Sequence, residues 1–254
     1  MKIDNFIAEV EKLGIEVTKN KLNQLEKYYE LLIEYNKVMN LTGITEKEEV
    51  YLKHFYDSLT IAKIIDLKKE STLCDIGTGA GFPGIVLKIF YPNLKVTLVD
   101  SLNKRIKFLN DVINELKLEK ITTIHTRMEE YAKINIEKFD VVTARAVAEM
   151  YFLLEVSVPM LKVGKHFIAM KGSIDKEVDY QKTLEILNCI PKKLIKFKLP
   201  IEDSNRTLIK IQKIFPTKKI FPRKYNEMKK NPLVGFFLFP KNFPKCIELF
   251  SKIL

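Results

Sequence analysis

The stretch STLCDIGTGAGFPG, residues Ser71–Gly84, decides the fold class of this chain. It predicts a strand that ends at Asp75, a turn with three glycines, and a helix that begins near Gly84. Glycines at a strand-to-helix turn let the backbone bend tightly and let a ligand reach main-chain N–H groups. We therefore expect a ligand beside this turn, outside the carboxyl end of the strand.

A second acid supports a nucleotide-like ligand. The stretch KVTLVD ends the next predicted strand at Asp100, where a carboxylate can accept both hydroxyls of a ribose. A dinucleotide enzyme is one interpretation, because Gly79, Gly81 and Gly84 also satisfy GxGxxG. An S-adenosylmethionine site is the other interpretation. Asp75, which precedes the glycines, favours it, because DxGxGxG is the form typical of such sites. The strand also lies well inside the chain, whereas dinucleotide folds often open with it.

Short apolar strands alternate with amphipathic helices after this point. The strand candidates are Thr72–Asp75, Lys95–Asp100, Ile121–His125, Phe139–Thr143 and Lys165–Met170. The helix candidates are Gly84–Phe90, Lys104–Leu116, Ala148–Leu161 and Asp175–Leu187. This alternation predicts an α/β fold, a parallel sheet with helices on both faces. Two further strand candidates, Lys193–Lys198 and Thr207–Gln212, are close enough to pair antiparallel at the sheet edge.

Residues 1–66 predict a helical N-terminal cap, with apolar residues at helical spacing on both sides of a turn at Asn40–Thr45. The sequence contains no internal repeat and no low-complexity linker. We expect a single domain over residues 1–233, with the cap at 1–66 and the α/β core at 67–233, and a C-terminal extension at 234–254.

The composition of the 254 residues, 46% hydrophobic and 30% charged, is that of a soluble globular protein. No apolar run approaches the roughly 18–20 residues of a membrane span. Acids near the N-terminus argue against a signal or transit peptide. Three scattered cysteines and three histidines suggest neither a disulfide framework nor a zinc site. We expect a cytoplasmic monomer with no membrane partner and no metal.

The charge of the chain favours a polyanionic partner. Its 43 Lys and Arg against 32 Asp and Glu give a net charge of +11. Most of the excess lies between Asn205 and Lys230, which holds nine basic residues and one acid.

Several specific stretches resemble the bacterial 16S ribosomal RNA guanine-N7 methyltransferases, also called the glucose-inhibited division protein B family. The resemblance extends from about Leu32 to Leu233. Its strongest stretches are DIGTGAGFPG within Cys74–Ile85 and DSLNKRIKFL at Asp100–Leu109. The others are YNKVMNLTGI (Tyr35–Ile44), HFYDSL (His54–Leu59), TRMEE (Thr126–Glu130), FDVVTARAVA (Phe139–Ala148) and MKG (Met170–Gly172).

The resemblance implies a Rossmann-like class I methyltransferase sheet of seven strands, with S-adenosylmethionine as cofactor and 16S rRNA or the small ribosomal subunit as partner. It implies cofactor contacts from the loop, then ribose contacts, then contacts near the adenine. In that order the residues are Asp75, Gly77, Gly79 and Phe82, then Asp100 and Ser101, then Met128 and Glu129.

The resemblance also places Arg145, at the end of the fourth strand, beside the methyl-transfer site, and makes it both a cofactor contact and the catalytic candidate. Guanine N7 has a free lone pair in the neutral base, so no proton must be removed before attack. Catalysis can then depend on holding N7 in line with the methyl group and excluding water. The planar fork of Arg145 could orient the guanine or its phosphate.

The RNA contacts that we expect come from both ends of the chain: Asn40, His54, Lys171, Lys213, Arg223 and Lys224. For the N-terminal residues an alternative has equal weight, in which Asn40 holds a turn and His54 bonds to Asp57 within a helix. The stretch FPRKYNEMKKNPL (Phe221–Leu233) resembles the family's closing stretch, but Asn226 stands about where many members carry a glycine.

Two other functions stay open. A methyltransferase acting on a small molecule would keep the glycine loop and not need the basic segment. A non-catalytic RNA-binding or ribosome-assembly protein would bind RNA and be indifferent to damage in the loop.

Overall fold

Seven strands form one sheet in the order β3-β2-β1-β4-β5-β7-β6 in this computed structural model, which describes residues 1–145, 148–172 and 180–234. The strands are β1 (Thr72–Ile76), β2 (Lys95–Asp100), β3 (Ile121–His125), β4 (Phe139–Arg145), β5 (Leu161–Lys171), β6 (Cys189–Lys198) and β7 (Asn205–Lys213). The first five strands are parallel, and β7 pairs antiparallel with both β5 and β6. The predicted α/β sheet and its antiparallel edge pair are confirmed.

The chain crosses from one side of β1 to the other, because β1 lies between β2 and β4. This reversal of strand order leaves a crevice at the carboxyl ends of the strands. Strand β4 continues two residues beyond the predicted Thr143, pairing Ala144 with Ala169 and Arg145 with Met170. The longer strand carries the Arg145 side chain to the crevice.

Six helices accompany the strands within the described ranges: α5 (Gly84–Phe90), α6 (Asn103–Glu115), α7 (Met128–Ile134), α8 (Met150–Met160), α9 (Gln181–Ile186) and α10 (Tyr225–Lys230). The predicted helix Asp175–Leu187 is present as α9, and residues 175–179 lie outside the described residues. Helix α7 was not predicted from the sequence, because it buries just Glu129 and Ala132. These two positions do not form the apolar stripe by which an amphipathic helix is recognised.

The N-terminal cap is helical, as predicted. It comprises α1 (Ile3–Glu11), α2 (Lys19–Met39), α3 (Lys47–Val50), a π turn (Tyr51–Tyr56), α4 (Asp57–Leu59) and two 3₁₀ turns (Thr60–Lys63 and Leu67–Lys69). Thr18 caps α2, its Oγ1 accepting from the backbone N–H of Lys21 at 3.3 Å. Helix α2 ends at Asn40, whose left-handed φ of 51° turns the chain.

The cap packs directly on the glycine loop. Tyr28 of α2 is fully buried, and its hydroxyl donates to the carbonyl of Ala80. Its ring centroid lies 5.3 Å from that of Phe82. A side chain at Gly81 would begin 2.6 Å from the Tyr28 hydroxyl, so only glycine allows this approach. The loop is therefore held between the cap and the sheet. Among the described residues, no helix is both long and apolar enough to cross a bilayer.

Candidate functional site

The loop between β1 and α5 turns its backbone toward the crevice. The N–H groups of Gly77 and Thr78 donate to the carbonyl of Val99 at 2.8 and 3.1 Å, which fixes the start of the loop on β2. Gly77 and Gly79 have left-handed φ values of 64° and 62°. The position of a Cβ on Gly79 is open, with no heavy atom within 4 Å among the described residues. A ligand can therefore lie directly against the Gly79 backbone.

Asp75 organises this loop from below. Its carboxylate is fully buried, and Oδ2 accepts from Thr78 Oγ1 at 2.7 Å and from the Gly84 N–H at 2.9 Å. Its other oxygen has no hydrogen-bond partner among the described residues. Burial raises the pKa of Asp75 to about 7. Asp75 thus supports the glycine loop and does not line the cavity above it.

Asp100 is fixed by three donors at the end of β2. Its Oδ2 accepts from the Gly79 N–H at 2.9 Å and from Arg105 Nη1 at 3.2 Å, and its Oδ1 accepts from the Leu102 N–H at 2.9 Å. The side chain is only 3% exposed, yet it lines the cavity. A carboxylate held in this way is oriented before any ligand arrives.

A cavity of about 760 Å³, the larger cavity, lies over the ends of β1 and β2 and beside α7. Its size is that of a small-molecule or cofactor site. Among its lining residues are six that the sequence analysis selected: Gly77, Asp100, Ser101, Met128, Glu129 and Lys171. Glu129 is buried and pairs with Arg127 at 2.9 Å, so it is not a solvated helix end.

Three aromatic side chains on the opposite wall were missed by the sequence analysis. Tyr151, Phe152 and Tyr225 line the larger cavity, and the rings of Phe152 and Tyr225 meet edge to face at 5.7 Å. The guanidinium of Arg127 lies 4.9 Å from the Tyr225 ring. Tyr225 follows directly on the matched residues Arg223 and Lys224, which is the only sequence signal that could have found it.

Arg145 ties the end of β4 to the cap. Its Nη1 donates to the Lys53 carbonyl at 3.1 Å and faces Asp57 Oδ2 at 3.4 Å. Its guanidinium lies 5.1 Å from the centre of the Phe82 ring, a cation–π contact. Phe82 is therefore placed under Arg145 and not on the wall of the larger cavity. Arg145 likewise does not line the larger cavity.

His54 stacks on the same ring, with 4.5 Å between centroids. Its Nδ1 lies 3.3 Å from Arg145 Nη2 and 3.2 Å from the Lys53 carbonyl, and its Nε2 lies 2.9 Å from Thr42 Oγ1. Burial and the Arg145 charge lower the pKa of His54 to about 3. The predicted His54–Asp57 bond is not formed, because Asp57 accepts from Arg145 and from Arg206 instead.

A second cavity of about 340 Å³, the smaller cavity, opens beside these groups. Its wall comes from the cap, from the ends of β4 and β5, and from the start of β7. Lys171 and Gly172 line both cavities, so the two are neighbours. The residues of the smaller cavity are Ile44, Lys53, His54, Asp57, Arg145, Met170, Lys171, Gly172, Arg206, Thr207 and Leu208.

Two of the residues expected to contact RNA are committed to internal partners. Lys213 is buried, with Nζ 2.9 Å from the Leu161 carbonyl and 3.0 Å from Glu137. Arg223 forms two bonds of 2.7 Å to Glu155, whose side chain is 1% exposed. Moving either one toward RNA would leave a buried polar partner unsatisfied.

The other expected RNA contacts differ in access. Asn40 and Lys224 are exposed, His54 is 8% exposed, and Lys171 lies between the two cavities with Nζ 3.2 Å from the Ala148 carbonyl. Of the nine basic residues between Asn205 and Lys230, five are exposed: Lys218, Lys219, Lys224, Lys229 and Lys230. No cluster of three potential metal ligands occurs within residues 1–145, 148–172 and 180–234.

Two solved structures of similar fold are a methyltransferase and a protein in complex with S-adenosylmethionine. A S-adenosylmethionine-dependent methyltransferase from Aquifex aeolicus superposes with a TM-score of 0.51 at 16% identity, over 70% of this chain and 98% of its own. A mutant of MtNAS in complex with S-adenosylmethionine superposes with a TM-score of 0.53 at 17% identity, over 77% of this chain and 76% of its own. At these identities the likeness concerns the fold alone.

Sequence comparison is far more specific. The family model described as rRNA small subunit methyltransferase G matches residues 21–203. The ribosomal RNA small subunit methyltransferase G of Bacillus licheniformis is 48% identical over 239 residues, which cover 92% of this chain and all of that protein. Its counterpart in Lysinibacillus sphaericus is 47% identical over 238 residues, with the same coverage. The chain therefore belongs to the rRNA small subunit methyltransferase G family.

Proposed function

We propose that the protein transfers a methyl group from S-adenosylmethionine to N7 of one guanine in 16S rRNA. The observation that carries this proposal is the pair of adjoining cavities, one against the glycine loop and the other against Arg145. The family to which the chain belongs acts on small-subunit rRNA by its name.

The larger cavity fits S-adenosylmethionine. The open backbone at Gly79 accepts close approach, and the fixed carboxylate of Asp100 suits a ribose. Gly77 and Ser101 would contact the cofactor from the strand ends, and Met128 and Glu129 would flank the adenine. The bound cofactor supplies an electrophilic methyl group on a sulfonium. Asp75 and Phe82, outside the cavity wall, would act through the loop and through Arg145.

The residues around the smaller cavity need not remove a proton, because N7 of a neutral guanine already presents a lone pair. His54 is neutral and bonded on both ring nitrogens, which suits a positioning role and not that of a base. Arg145 is held by the Lys53 carbonyl and Asp57, so its direction is set before substrate binds. Catalysis would rest on alignment and exclusion of water.

The exposed lysines between Lys218 and Lys230 would supply much of the affinity for the rRNA backbone. Affinity that rests on such contacts weakens steeply as salt rises.

We further propose that the protein acts as a monomer in the cytoplasm. Sedimentation of the purified protein tests the oligomeric state, and fractionation of cells tests the location.

The decisive experiment measures transfer of labelled methyl from S-adenosylmethionine to small-subunit particles and to naked 16S rRNA from a strain that lacks the endogenous enzyme. The product is mapped by chemical cleavage at N7-methylguanine, and a single cleaved position is expected. No incorporation by a protein that binds the cofactor would refute the ribosomal assignment and favour a small-molecule substrate.

A second experiment uses the variant Gly79→Asp. This substitution abolishes transfer if the protein is an enzyme, and leaves RNA binding intact if it is an assembly factor.

A further inference from the structure

We propose that the smaller cavity receives the target guanine and that Arg206 donates a hydrogen bond to its O6. This inference rests on the proposed function, since it names the residue that would recognise the base within the acceptor site. Arg206 lies on β7, in the antiparallel part of the sheet. It belongs to none of the sequence motifs described above.

The smaller cavity has the size and position for one base. At about 340 Å³ it lies at the lower end of the range for ligand pockets, and it adjoins the larger cavity at Lys171 and Gly172. Ile44 and Leu208 give it apolar walls suited to a purine ring. A base in a folded RNA can reach such a pocket only after leaving its stack, and enzymes that modify bases commonly extrude them in this way.

The donors on the wall of the smaller cavity are not equivalent. Arg145 Nη1 donates to the Lys53 carbonyl and faces Asp57, and Arg145 Nη2 is covered by the His54 ring, 3.3 Å from Nδ1. The ammonium of Lys53 is paired with Glu49 at 2.7 Å and Glu202 at 3.2 Å.

Arg206 keeps a free donor. Its Nε donates to Asp57 Oδ1 at 3.1 Å and its Nη1 to the Asn205 carbonyl at 2.9 Å. Within the described parts of the chain, no acceptor lies within hydrogen-bonding distance of its Nη2. The side chain is 21% exposed, so the Asp57 carboxylate holds it while one end stays accessible.

The chemistry of N7 methylation favours such a donor opposite O6. The Hoogsteen edge of guanine presents two acceptors, N7 and O6, and arginine commonly binds both. Here N7 must stay free to attack the methyl group, so recognition on that edge is left to O6. Adenine presents an amino group at the same position, and a guanidinium N–H would face it donor to donor. Arg206 would therefore select guanine over adenine.

The test compares Arg206→Met with wild type on small-subunit particles from a strain lacking the enzyme, and on particles whose target guanine is replaced by adenine. We expect kcat/KM on guanine particles to fall roughly 10- to 100-fold. The dissociation constant of S-adenosylmethionine should stay within twofold of wild type. The ratio of kcat/KM for guanine over adenine particles should fall at least tenfold, which a merely structural role would not cause.

Two further variants keep the test decisive. Lys198→Met removes one positive charge from the exposed face of the neighbouring strand and should leave kcat/KM within threefold. Ile44→Trp fills the smaller cavity from another lining position and should abolish transfer without weakening cofactor binding, even if Arg206→Met is unstable. Full activity in either Arg206→Met or Ile44→Trp, or an unchanged base preference in Arg206→Met, would overturn this inference. Absence of N7-methylguanine with the wild-type protein would instead overturn the proposed function.

Discussion

The two cavities meet at Lys171 and Gly172 and differ in the groups that they present. The larger cavity presents glycine backbone and the carboxylates of Asp100 and Glu129 beside the cations Arg105, Arg127 and Lys229, whereas the smaller presents two guanidinium groups on the Asp57 carboxylate. Carboxylates suit the hydroxyls and positive charge of a sulfonium nucleoside. Guanidiniums suit the acceptor edge of a base or a phosphate. We therefore expect the larger cavity to hold the donor of the methyl group and the smaller cavity to hold its acceptor.

The cavities also differ in what holds them. The loop of the larger cavity is supported by several groups, among them Asp75, the Val99 carbonyl and the Asp100 carboxylate. The smaller cavity depends on one carboxylate shared by two arginines from β4 and β7. Damage to the larger cavity should therefore affect binding of the cofactor, and damage to the smaller should affect the stability of the cap on the sheet.

The largest effect is expected from Asp57→Ala. Its removal leaves the guanidiniums of Arg145 and Arg206 near each other without their shared anion, so the free energy of unfolding should fall by about 3–5 kcal/mol. Chemical denaturation measures it. Asp203→Ala, whose side chain is 90% exposed, is the matched control and should change stability by about 0.5 kcal/mol or less. Equal losses in both variants would remove the special role of Asp57.

The second effect separates the cavities by ligand. Asp100→Asn weakens the anchor of the Gly79 N–H and the ribose site, so the dissociation constant of S-adenosylmethionine should rise roughly 10- to 100-fold. Isothermal titration calorimetry measures this binding without RNA. Asp111→Asn on α6 is the control: its carboxylate accepts from Tyr35 and does not line the larger cavity, so the variant should bind the cofactor normally. Unchanged affinity in Asp100→Asn would show that the larger cavity is not the cofactor site.

The third effect concerns pH. His54 and Asp75 should contribute with opposite signs to the change of the unfolding free energy with pH. Burial lowers the pKa of His54 from 6.5 to about 3, so the stability that neutral His54 contributes is lost as the pH falls from 6.5 toward 3. Burial raises the pKa of Asp75 from 3.8 to about 7, so its contribution is lost as the pH rises from 3.8 through 7.

Denaturation curves between these limits test both signs. His54→Asn should make the rise of unfolding free energy with pH less steep, and Asp75→Asn should make it steeper. Each change should be on the order of 1 kcal/mol per pH unit. His125→Asn is the matched control, since that ring is exposed. Changes of the same sign in the first two variants would contradict the assigned environments.

The smallest effect concerns the surface around the cavities. Exchanging the three exposed lysines Lys218, Lys219 and Lys224 for Gln should raise KM for particles about tenfold and reduce the salt slope by roughly one for each lost contact. Transfer assays over a range of salt concentrations measure both. Arg223→Gln is the comparison variant. Because Arg223 is bound to Glu155, this substitution should leave the salt slope unchanged. A reduced slope in Arg223→Gln would place that residue on RNA after all.

Many residues of the larger cavity could be predicted from the sequence, because they lie close to strand ends that the hydrophobic pattern locates. The glycine loop follows β1 directly, Asp100 is the last residue of β2, and Ser101 is the next residue. Helix α7 escaped prediction, although Met128 and Glu129 at its start were selected through the family resemblance. Local spacing can place a residue at the edge of a parallel sheet, since all carboxyl ends meet there.

The sequence by itself determined the α/β fold, the glycine loop and the family, since these depend on motifs whose residues are neighbours in the chain. Only the tertiary structure decided which basic residues are free. Lys213 and Arg223 lose their access because Glu137 and Glu155 reach them from distant elements. It also decided that Asp57, Arg145 and Arg206 form one cluster, because they come from the cap, β4 and β7. Contacts of such long separation follow from packing, which a linear pattern does not contain.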